Sequence, residues 1–279
     1  MTGNNENDQQ LDQQPARHRR DKGVQRRRVL IGGGTVALAG GLAAAGLASA
    51  DTPTTTTDAS TTTVTADASA SATSSVCTLT AEVTEGPYSL DGALIREDIR
   101  EEKEGVEVQY TFTVVDQDND CAPLADALVE LWHCDALGEY SGFVGKNGHT
   151  EDDDGTFLRG GVLTDANGEA NLISIWPGHY VSRAVHVHMR VHTDVTLADG
   201  TYTGGSVVHT GQLFFDADLN EEVQATSPYS DNTTAETSLG DDTIYDDGGA
   251  ASGLLTLTAL GSAVSDGYTA TLTVGVSTS

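Results

Sequence analysis

From residue 106 onward, much of the chain alternates between apolar and polar residues, with the two-residue period of a β-strand. The alternation covers residues 106–116 and 127–133, and it occurs twice in residues 161–175, around an Asn-Gly turn. A last alternating pair covers residues 251–260 and 266–276. No stretch shows the apolar spacing of an amphipathic helix of three turns. We therefore predict an all-β fold, a sandwich of two sheets whose short strands are separated by turns.

One further predicted strand, residues 184–191, has two chemically different faces. Side chains two residues apart share a face. One face carries Val185, Val187, Met189 and Val191. The other face carries Ala184, His186, His188 and Arg190. The first face is typical of a core, and the second is either solvated or a functional site.

Residues 216–250 lack this alternation and are acidic and rich in glycine. We expect them to form long loops rather than regular structure. The triplet Asn232-Thr233-Thr234 within them is a possible glycosylation sequon. Such triplets are common in threonine-rich chains and are often unused, so glycosylation stays open.

An export signal is predicted in residues 1–50. Arg26-Arg27-Arg28 precedes a Gly- and Ala-rich apolar segment that ends in Ala48-Ser49-Ala50, the pattern of a twin-arginine (Tat) signal with its cleavage site. Residues 29–50 are also just long enough to span a bilayer, so an uncleaved anchor is the alternative. We expect export by the Tat route to the cell surface or the medium. A membrane partner is expected only if the signal stays attached.

A linker follows the signal and precedes the folded domain. Residues 51–76 are almost entirely Thr, Ser, Ala and Asp, which leaves nothing to bury and predicts disorder. The folded domain is predicted to occupy residues 77–279. Its three cysteines, which permit one disulfide and one thiol in an exported protein, are Cys77, Cys121 and Cys134. The sequence leaves their pairing open.

The net charge of the chain is −28, and the predicted domain is more acidic still. From residue 51 onward, 7 Lys and Arg stand against 38 Asp and Glu, which gives −31. Nucleic acid is therefore excluded as a partner, because phosphate contacts need clustered Lys and Arg. Such a surface suits concentrated salt, where self-repulsion is screened, and it predicts a halophilic source.

Two tyrosines and two histidines form a candidate metal-binding set. His186 and His188 share one strand face, close enough to bind one metal ion. Tyr140 and Tyr180, on nearby predicted loops, would complete a set of two nitrogen and two oxygen donors. Phenolate is a hard anionic donor, so two of them favour Fe(III) over Zn(II) or Fe(II). A histidine pair on an exposed strand, with no metal, is the alternative reading.

Four stretches resemble the intradiol ring-cleavage dioxygenases, a family that includes the catechol, hydroxyquinol and protocatechuate dioxygenases. They are TEGPYSL (residues 84–90), LVELWHCDALGEYS (128–141), WPGHYVSRAVHVH (176–188) and HTGQLFFD (209–216). The resemblance is greatest to the compact, exported branch of the family. It implies a β-sandwich of the intradiol dioxygenase type with long loops. It also implies a non-haem Fe(III) ion bound by Tyr140, Tyr180, His186 and His188.

The resemblance also assigns roles around the metal. Arg183 would bind the substrate and stabilise negative charge on its ring, and Gln212 would lie near the substrate and O2. Tyr180 would leave the metal and act as a base, and Tyr88 would line the substrate pocket. The implied reaction uses O2 to cleave the ring of a catechol between its two hydroxyl-bearing carbons and gives a muconate-type diacid. The scarcity of cations favours catechol or hydroxyquinol over protocatechuate, which carries a carboxylate.

Two other classes of protein remain as alternatives. The stretches PLADALVELW and TDANGEANL also resemble the transthyretin-like sandwich of surface adhesion modules, which have no catalytic activity. His133 and Asp135 form a His-x-Asp pair that could join a distant histidine in an Fe(II) site with two histidines and one carboxylate.

Overall fold

A computed structural model describes residues 77–145, 154–249 and 252–279. The predicted export signal, residues 1–50, and the predicted linker, residues 51–76, lie outside the described residues. The boundaries assigned to both therefore stay predictions. Within the described ranges, no helix has the length and apolar character needed to cross a membrane.

The described residues form two β-sheets with one short α-helix between the last strands. In chain order, the elements are β1 (Glu107–Asp116), β2 (Ala122–Pro123), β3 (Leu128–Trp132), β4 (Arg159–Leu163), β5 (Glu169–Ile175), β6 (His186–Ala198), β7 (Thr201–Phe214), α1 (Ala217–Gln224), β8 (Thr256–Ala259) and β9 (Tyr268–Val276). Short 3-10 turns occur in several of the connections. The predicted all-β class is confirmed.

In the first sheet, β1 is the central strand. It pairs with β5 and β2 along one edge, both antiparallel, and with β9 along the other edge, in parallel. The parallel register runs from Val108 opposite Tyr268 to Asp116 opposite Val276, and β8 then pairs with the outer edge of β9. The second sheet has the order β4-β3-β6-β7, and all of its pairs are antiparallel.

The core lies between the two sheets and is built from the alternating residues. From β1, the buried residues are Val108, Tyr110, Phe112 and Val114, and the residues between them are half-buried. From β6, Val187, Met189 and Val191 enter the same cluster. The apolar face predicted for residues 184–191 is therefore core. Because the period of two places every second residue on one face, the pattern was sufficient to locate these strands.

The Asn-Gly turn joins two strands, but they do not form a hairpin. β4 pairs with β3 in the second sheet, whereas β5 pairs with β1 in the first. The turn is closed locally by hydrogen bonds between Asp165 and Glu169 and between Gly168 and Asp165, each 2.9 Å long. Gly168 has a φ of +74°, which favours glycine. The turn motif was read correctly, but local sequence does not determine whether the chain then crosses to the other sheet.

The region predicted as loop, residues 216–250, contains the helix α1. Asp216 caps its first turn by accepting from the N–H groups of Asp218 and Leu219. At eight residues, the helix is too short for its apolar period to stand out in the sequence. Asn232 in this region donates its side-chain N–H to the carbonyl oxygen of His179, 2.8 Å away. The contact ties the sequon to the segment that precedes Tyr180, and it uses one of the two hydrogens on the amide nitrogen.

Cys77 and Cys121 form the disulfide, with their Cα atoms 5.7 Å apart, and Cys134 is a buried free thiol. The bridge ties the beginning of the described domain to the segment between β1 and β2. Because it closes a loop of 44 residues, it restricts the unfolded chain and stabilises the fold.

We expect replacement of both Cys77 and Cys121 by serine to lower the free energy of unfolding by roughly 2–4 kcal/mol. Chemical unfolding of the wild type with and without reductant, beside the double variant, measures this. Reductant should lower the stability of the wild type to that of the variant and leave the variant unchanged. Equal stability of all samples would contradict the prediction.

Candidate metal centre

The face of β6 that points away from the core is buried as well. His186 and His188 are 2% and 0% exposed. Aromatic and apolar side chains cluster over this face, namely Tyr88, Leu90, Trp132, Cys134, Tyr140, Phe143 and Tyr180. The second face of the strand is therefore an enclosed polar cluster and not a solvated surface.

The four side chains predicted as metal ligands come together in this cluster. His186 and His188 begin β6, Tyr140 follows β3, and Tyr180 lies between β5 and β6. Nε2 of His186 lies 3.1 Å from Nε2 of His188 and 3.3 Å from Oη of Tyr180. The ring centre of Tyr140 lies 5.7 Å from that of Tyr180 and 6.1 Å from that of His188. Residues from three parts of the chain thus converge on one place.

The surroundings of the two histidines favour the uncharged imidazole, and in His186 they also set the tautomer. Nδ1 of His186 lies 2.7 Å from the carbonyl oxygen of Ala184, which can only accept, so Nδ1 carries the proton. Its Nε2 therefore has a free lone pair, and this atom faces His188 and Tyr180. Burial, with the nearby charge of Arg183, lowers the pKa of His186 to about 3. Burial also lowers the pKa of His188 well below its ordinary value.

The two phenols are enclosed to different degrees. Burial raises the pKa of Tyr140 well above its ordinary value and that of Tyr180 to about 12. Among the described residues, Oη of Tyr140 has no hydrogen-bond partner although it is buried. A buried hydroxyl without a partner costs about 1–3 kcal/mol, so such atoms are rare. A cation among the two imidazoles and two phenols would satisfy it, and the donor set fits a metal ion.

Stacked rings hold two of the four donors in place. The imidazole of His188 stacks on the indole of Trp132, with ring centres 5.0 Å apart and 6° between the planes. Cζ of Arg190 also lies over this indole, 5.0 Å from its ring centre. Tyr88 stacks on Tyr140, with ring centres 4.4 Å apart and 13° between the planes. Tyr88, which was predicted to line a substrate pocket, therefore supports a candidate ligand as well.

Arg183 and Gln212 lie beside the four donors and contact each other. Nη1 of Arg183 lies 3.5 Å from Oη of Tyr180 and 3.4 Å from Nε2 of His186. Its Nη2 donates to Oε1 of Gln212, whose amide nitrogen donates to the carbonyl oxygen of Thr84. Gln212 lies opposite His188 in the register of β6 and β7. The structure thus brings together every residue predicted for the site.

A cavity of about 580 Å³ opens beside Tyr140 and Tyr180. Its walls include the rings of Tyr88 and Phe143 and the exposed side chains of Leu137 and Val181. Glu139 contributes a carboxylate, and none of the described residues that line the cavity is a lysine or arginine. The cavity is large enough for a single aromatic ring.

The alternative site, with His133 and Asp135, is already committed to other partners. The ring nitrogens of His133 lie 2.8 Å from the carbonyl oxygen of Cys134 and 2.7 Å from Oγ of Ser174. The carboxylate of Asp135 accepts from Lys103 and from two backbone N–H groups. Across the described ranges, no three His, Cys, Asp or Glu side chains lie close enough to share a metal ion. The structure therefore disfavours an Fe(II) site with two histidines and one carboxylate.

Three residues near the centre were not found by sequence reasoning. Trp132 lies opposite His188 in the register of β3 and β6, and Gly86 approaches the His188 ring so closely that a Cβ would lie 2.9 Å from Cε1. Asp242, from the region predicted as loop, binds Arg183 through Nε at 2.9 Å. Strand pairing could have indicated Trp132 once β3 and β6 were known to be neighbours. The other two contacts depend on tertiary structure alone.

Comparison with known proteins first gives the class of protein. A family model described as a dioxygenase, Dioxygenase_C, matches residues 84–218, which include all of the predicted site residues. None of the curated proteins matches the sequence. The dioxygenase domain of a dioxygenase and carbohydrate-binding protein fusion from Streptomyces sp. SirexAA-E is 23% identical and has a TM-score of 0.50. That match covers 72% of this chain and 100% of the other, and it shows a shared fold.

A second solved structure narrows the class to a family. The intradiol ring-cleavage dioxygenase from Tetranychus urticae is 30% identical, with a TM-score of 0.63, and the match covers 72% of this chain and 95% of that one. The chain belongs to the intradiol ring-cleavage dioxygenases, a family of oxidoreductases. The predicted family, enzyme class and sandwich type are confirmed. The non-catalytic adhesion module is therefore not the correct interpretation.

We expect Gly86→Ala to weaken metal binding by about 10–100-fold, because the new methyl group displaces the His188 ring. Gly92→Ala is the matched control. Gly92 has nearly the same φ, +76° against +75°, but the nearest atom to its Cβ is 3.6 Å away. Elemental analysis of the purified proteins gives the metal content per chain. Equal metal content in the two variants would show that the approach of Gly86 to His188 has no role.

Proposed function

We propose that this protein is a non-haem Fe(III) dioxygenase that uses O2 to cleave catechol-type rings between the two hydroxyl-bearing carbons. The observation that carries the proposal is the convergence of two neutral imidazoles and two phenols inside one enclosed cluster. Membership of the intradiol family supports it independently.

Iron in the ferric state follows from the kind of donor. Tyr140 and Tyr180 would bind as phenolates, which are hard anionic donors and favour a trivalent ion. His186 and His188 would complete the set with neutral nitrogens. Fe(III) bound in this way would supply a Lewis-acidic centre that lowers the pKa of a bound catechol and makes its ring reactive towards O2.

The two tyrosines have different environments, which supports different roles. Tyr140 is 2% exposed and stacked under Tyr88, so it would be the fixed ligand. Tyr180 is half-buried at the cavity wall, 3.5 Å from Nη1 of Arg183. Its Oη is therefore the group that we assign to accept a proton from the entering catechol, as the phenolate, at the edge of the cavity.

Arg183 and Gln212 would act on the substrate. The guanidinium of Arg183 faces the donor cluster, where it would stabilise negative charge that develops on the ring. Gln212 holds the other terminal nitrogen of Arg183 and lies beside His188, near the place for the substrate and O2. Both oxygen atoms enter the product, a muconate-type diacid, so no external reductant is required.

The cavity lining supports a substrate without a carboxylate. Tyr88, Phe143 and Val181 offer apolar contact, and Glu139 would repel an anionic substituent. A catechol or a hydroxyquinol fits this environment better than protocatechuate does. The small number of Lys and Arg in the sequence favours the same substrates.

We also propose that the protein is exported, by a Tat-type route, to the cell surface or the medium. The N-terminal pattern of residues 1–50 supports export, and the disulfide between Cys77 and Cys121 supports an oxidising compartment. The acidic composition supports function in concentrated salt.

We expect the purified, iron-loaded protein to be red-brown, because phenolate bound to Fe(III) absorbs visible light. Tyr140→Phe and Tyr180→Phe should each bleach or shift this band and lower catechol-dependent oxygen uptake by at least about 100-fold. Tyr88→Phe is the control, since it removes a hydroxyl from the same cluster without removing a proposed ligand, and it should keep the band. An unchanged spectrum in both ligand variants would disprove this donor set.

We expect kcat/KM to be higher for catechol and hydroxyquinol than for protocatechuate. Glu139→Gln should raise kcat/KM for protocatechuate roughly three- to tenfold, because it removes a negative charge from the cavity wall, and should change that for catechol little. Glu97→Gln, on an exposed surface residue, is the control. Oxygen uptake with identification of the ring-opened products measures both. A preference for protocatechuate in the wild type would contradict the prediction.

A further inference from the structure

Asp242 is a fully buried carboxylate that four hydrogen bonds hold in place. Its side chain is 0% exposed although it belongs to the region between α1 and β8 that the sequence indicated as loop. Oδ2 accepts from Nε of Arg183 at 2.9 Å and from the backbone N–H of Ala184 at 2.8 Å. Oδ1 accepts from the backbone N–H groups of Ile244 at 2.9 Å and Tyr245 at 3.0 Å. The two oxygens therefore have separate partners.

The contact with Arg183 fixes the direction of the guanidinium. A long arginine side chain has many rotamers, and ordering it costs conformational entropy. Here Asp242 holds Nε and Gln212 holds Nη2, which leaves Nη1 directed at Tyr180 and His186. With two of its three nitrogens held, the guanidinium presents the third to the donor cluster in a single orientation.

The contact with Ala184 connects the same carboxylate to a candidate ligand. The N–H of Ala184 donates to Asp242, and its carbonyl oxygen accepts from Nδ1 of His186 at 2.7 Å. Ala184 thus links Asp242 to His186, and its carbonyl oxygen sets the tautomer of that imidazole. Asp242 therefore contacts Arg183 directly and His186 through the Ala184 peptide, but it contacts neither the cavity nor the proposed metal ligands.

We propose that Asp242 is a positioning residue for the dioxygenase reaction, which holds Arg183 and the Ala184 peptide in the orientation that the site requires. The inference rests on the proposed function, because it assumes that Arg183 acts on the substrate. A competing explanation is that Asp242 only caps the turn at Ile244 and Tyr245. The division of partners between Oδ1 and Oδ2 allows the two explanations to be separated.

Two substitutions at this position test the proposal. Asp242→Asn is isosteric, but an amide has one acceptor oxygen, so in either orientation its NH2 faces one of the two pairs of donors. Asp242→Ser keeps a short acceptor that caps the following turn, as serine often does, and is too short to reach Arg183. Asp241→Asn is the matched control, because Asp241 precedes Asp242, is exposed and, within the described part of the chain, accepts a side-chain hydrogen bond from Ser238 alone.

We expect both Asp242 variants to lower kcat/KM for catechol about 10–100-fold, mainly through kcat, while Asp241→Asn matches the wild type. The thermal midpoint of metal-free Asp242→Ser should fall below that of the wild type, because Nε of Arg183 and the N–H of Ala184 lose their acceptor, but the variant should remain folded at the assay temperature. In crystal structures of the metal-free variants, Nη1 of Arg183 should move away from Tyr180 and His186. If Asp242 only caps the turn at Ile244 and Tyr245, Asp242→Ser should instead keep full activity and leave Arg183 in place.

A double-variant cycle with Arg183→Gln identifies the route of the effect. If Asp242 acts through Arg183, adding Asp242→Asn to Arg183→Gln should lower kcat/KM less than twofold further. If the losses in kcat/KM multiply, the Arg183 part of the proposal is overturned. If neither Asp242 variant folds, the carboxylate is a structural requirement and the inference is wrong.

Failure of this inference and failure of the proposed function have different signatures. Wild-type protein that binds iron, shows the visible band and consumes oxygen with catechol supports the function whatever Asp242 does. If that protein is active and both Asp242 variants equal Asp241→Asn, only the positioning role is rejected. If the iron-loaded wild type consumes no oxygen with any catechol, the function itself is rejected. The crystallographic position of Arg183 in the metal-free variants still tests its contact with Asp242.

Discussion

The structure depends on the burial of a polar strand face. His186 and His188 point away from the sandwich core, yet aromatic side chains enclose them. A buried polar group without a partner is costly, and the enclosed atoms include Oη of Tyr140 and Nδ1 of His188, which have none among the described residues. The face is tolerable because the buried Arg190 pairs with Glu130 and because the candidate donors converge on a position that a cation would fill. The loops that enclose it are therefore part of the site.

The second sheet holds the residues against which these loops pack. Its register sets Trp132 and Gln212 on either side of His188, so a stacking ring and an amide flank one imidazole. Tyr140, Tyr180 and Arg183 lie in loops between strands. Hydrogen bonds to these loops hold them against the second sheet. Asp242 accepts two of these bonds, and its partners lie in the connection that precedes β6. The strand β6 thus positions the histidine nitrogens, and the loops position the tyrosine oxygens beside them.

The sequence predicted most of the strands and the site residues, but it missed β7 and the second half of β6, and it did not show how the chain connects the strands. Period-two alternation located β1 and β9 because mainly one face of each is buried, and it located β3 although both faces of that strand are buried. The crossing of the Asn-Gly turn between sheets depends on which strands pair, and no local pattern encodes that. Asp242 was missed for a similar reason. In an acidic loop, one aspartate is buried and its neighbours are exposed, and only tertiary contacts distinguish them.

The parallel pairing of β1 with β9 has a consequence for biogenesis. Val108, near the beginning of the described domain, is a neighbour of Tyr268 in the same sheet, so this sheet cannot close until β9 has been synthesised. Contacts of such high sequence separation form slowly, since a long loop must first be ordered. The first sheet therefore stays incomplete until β9 is available, and until then the edge of β1 that pairs with β9 is open to other chains.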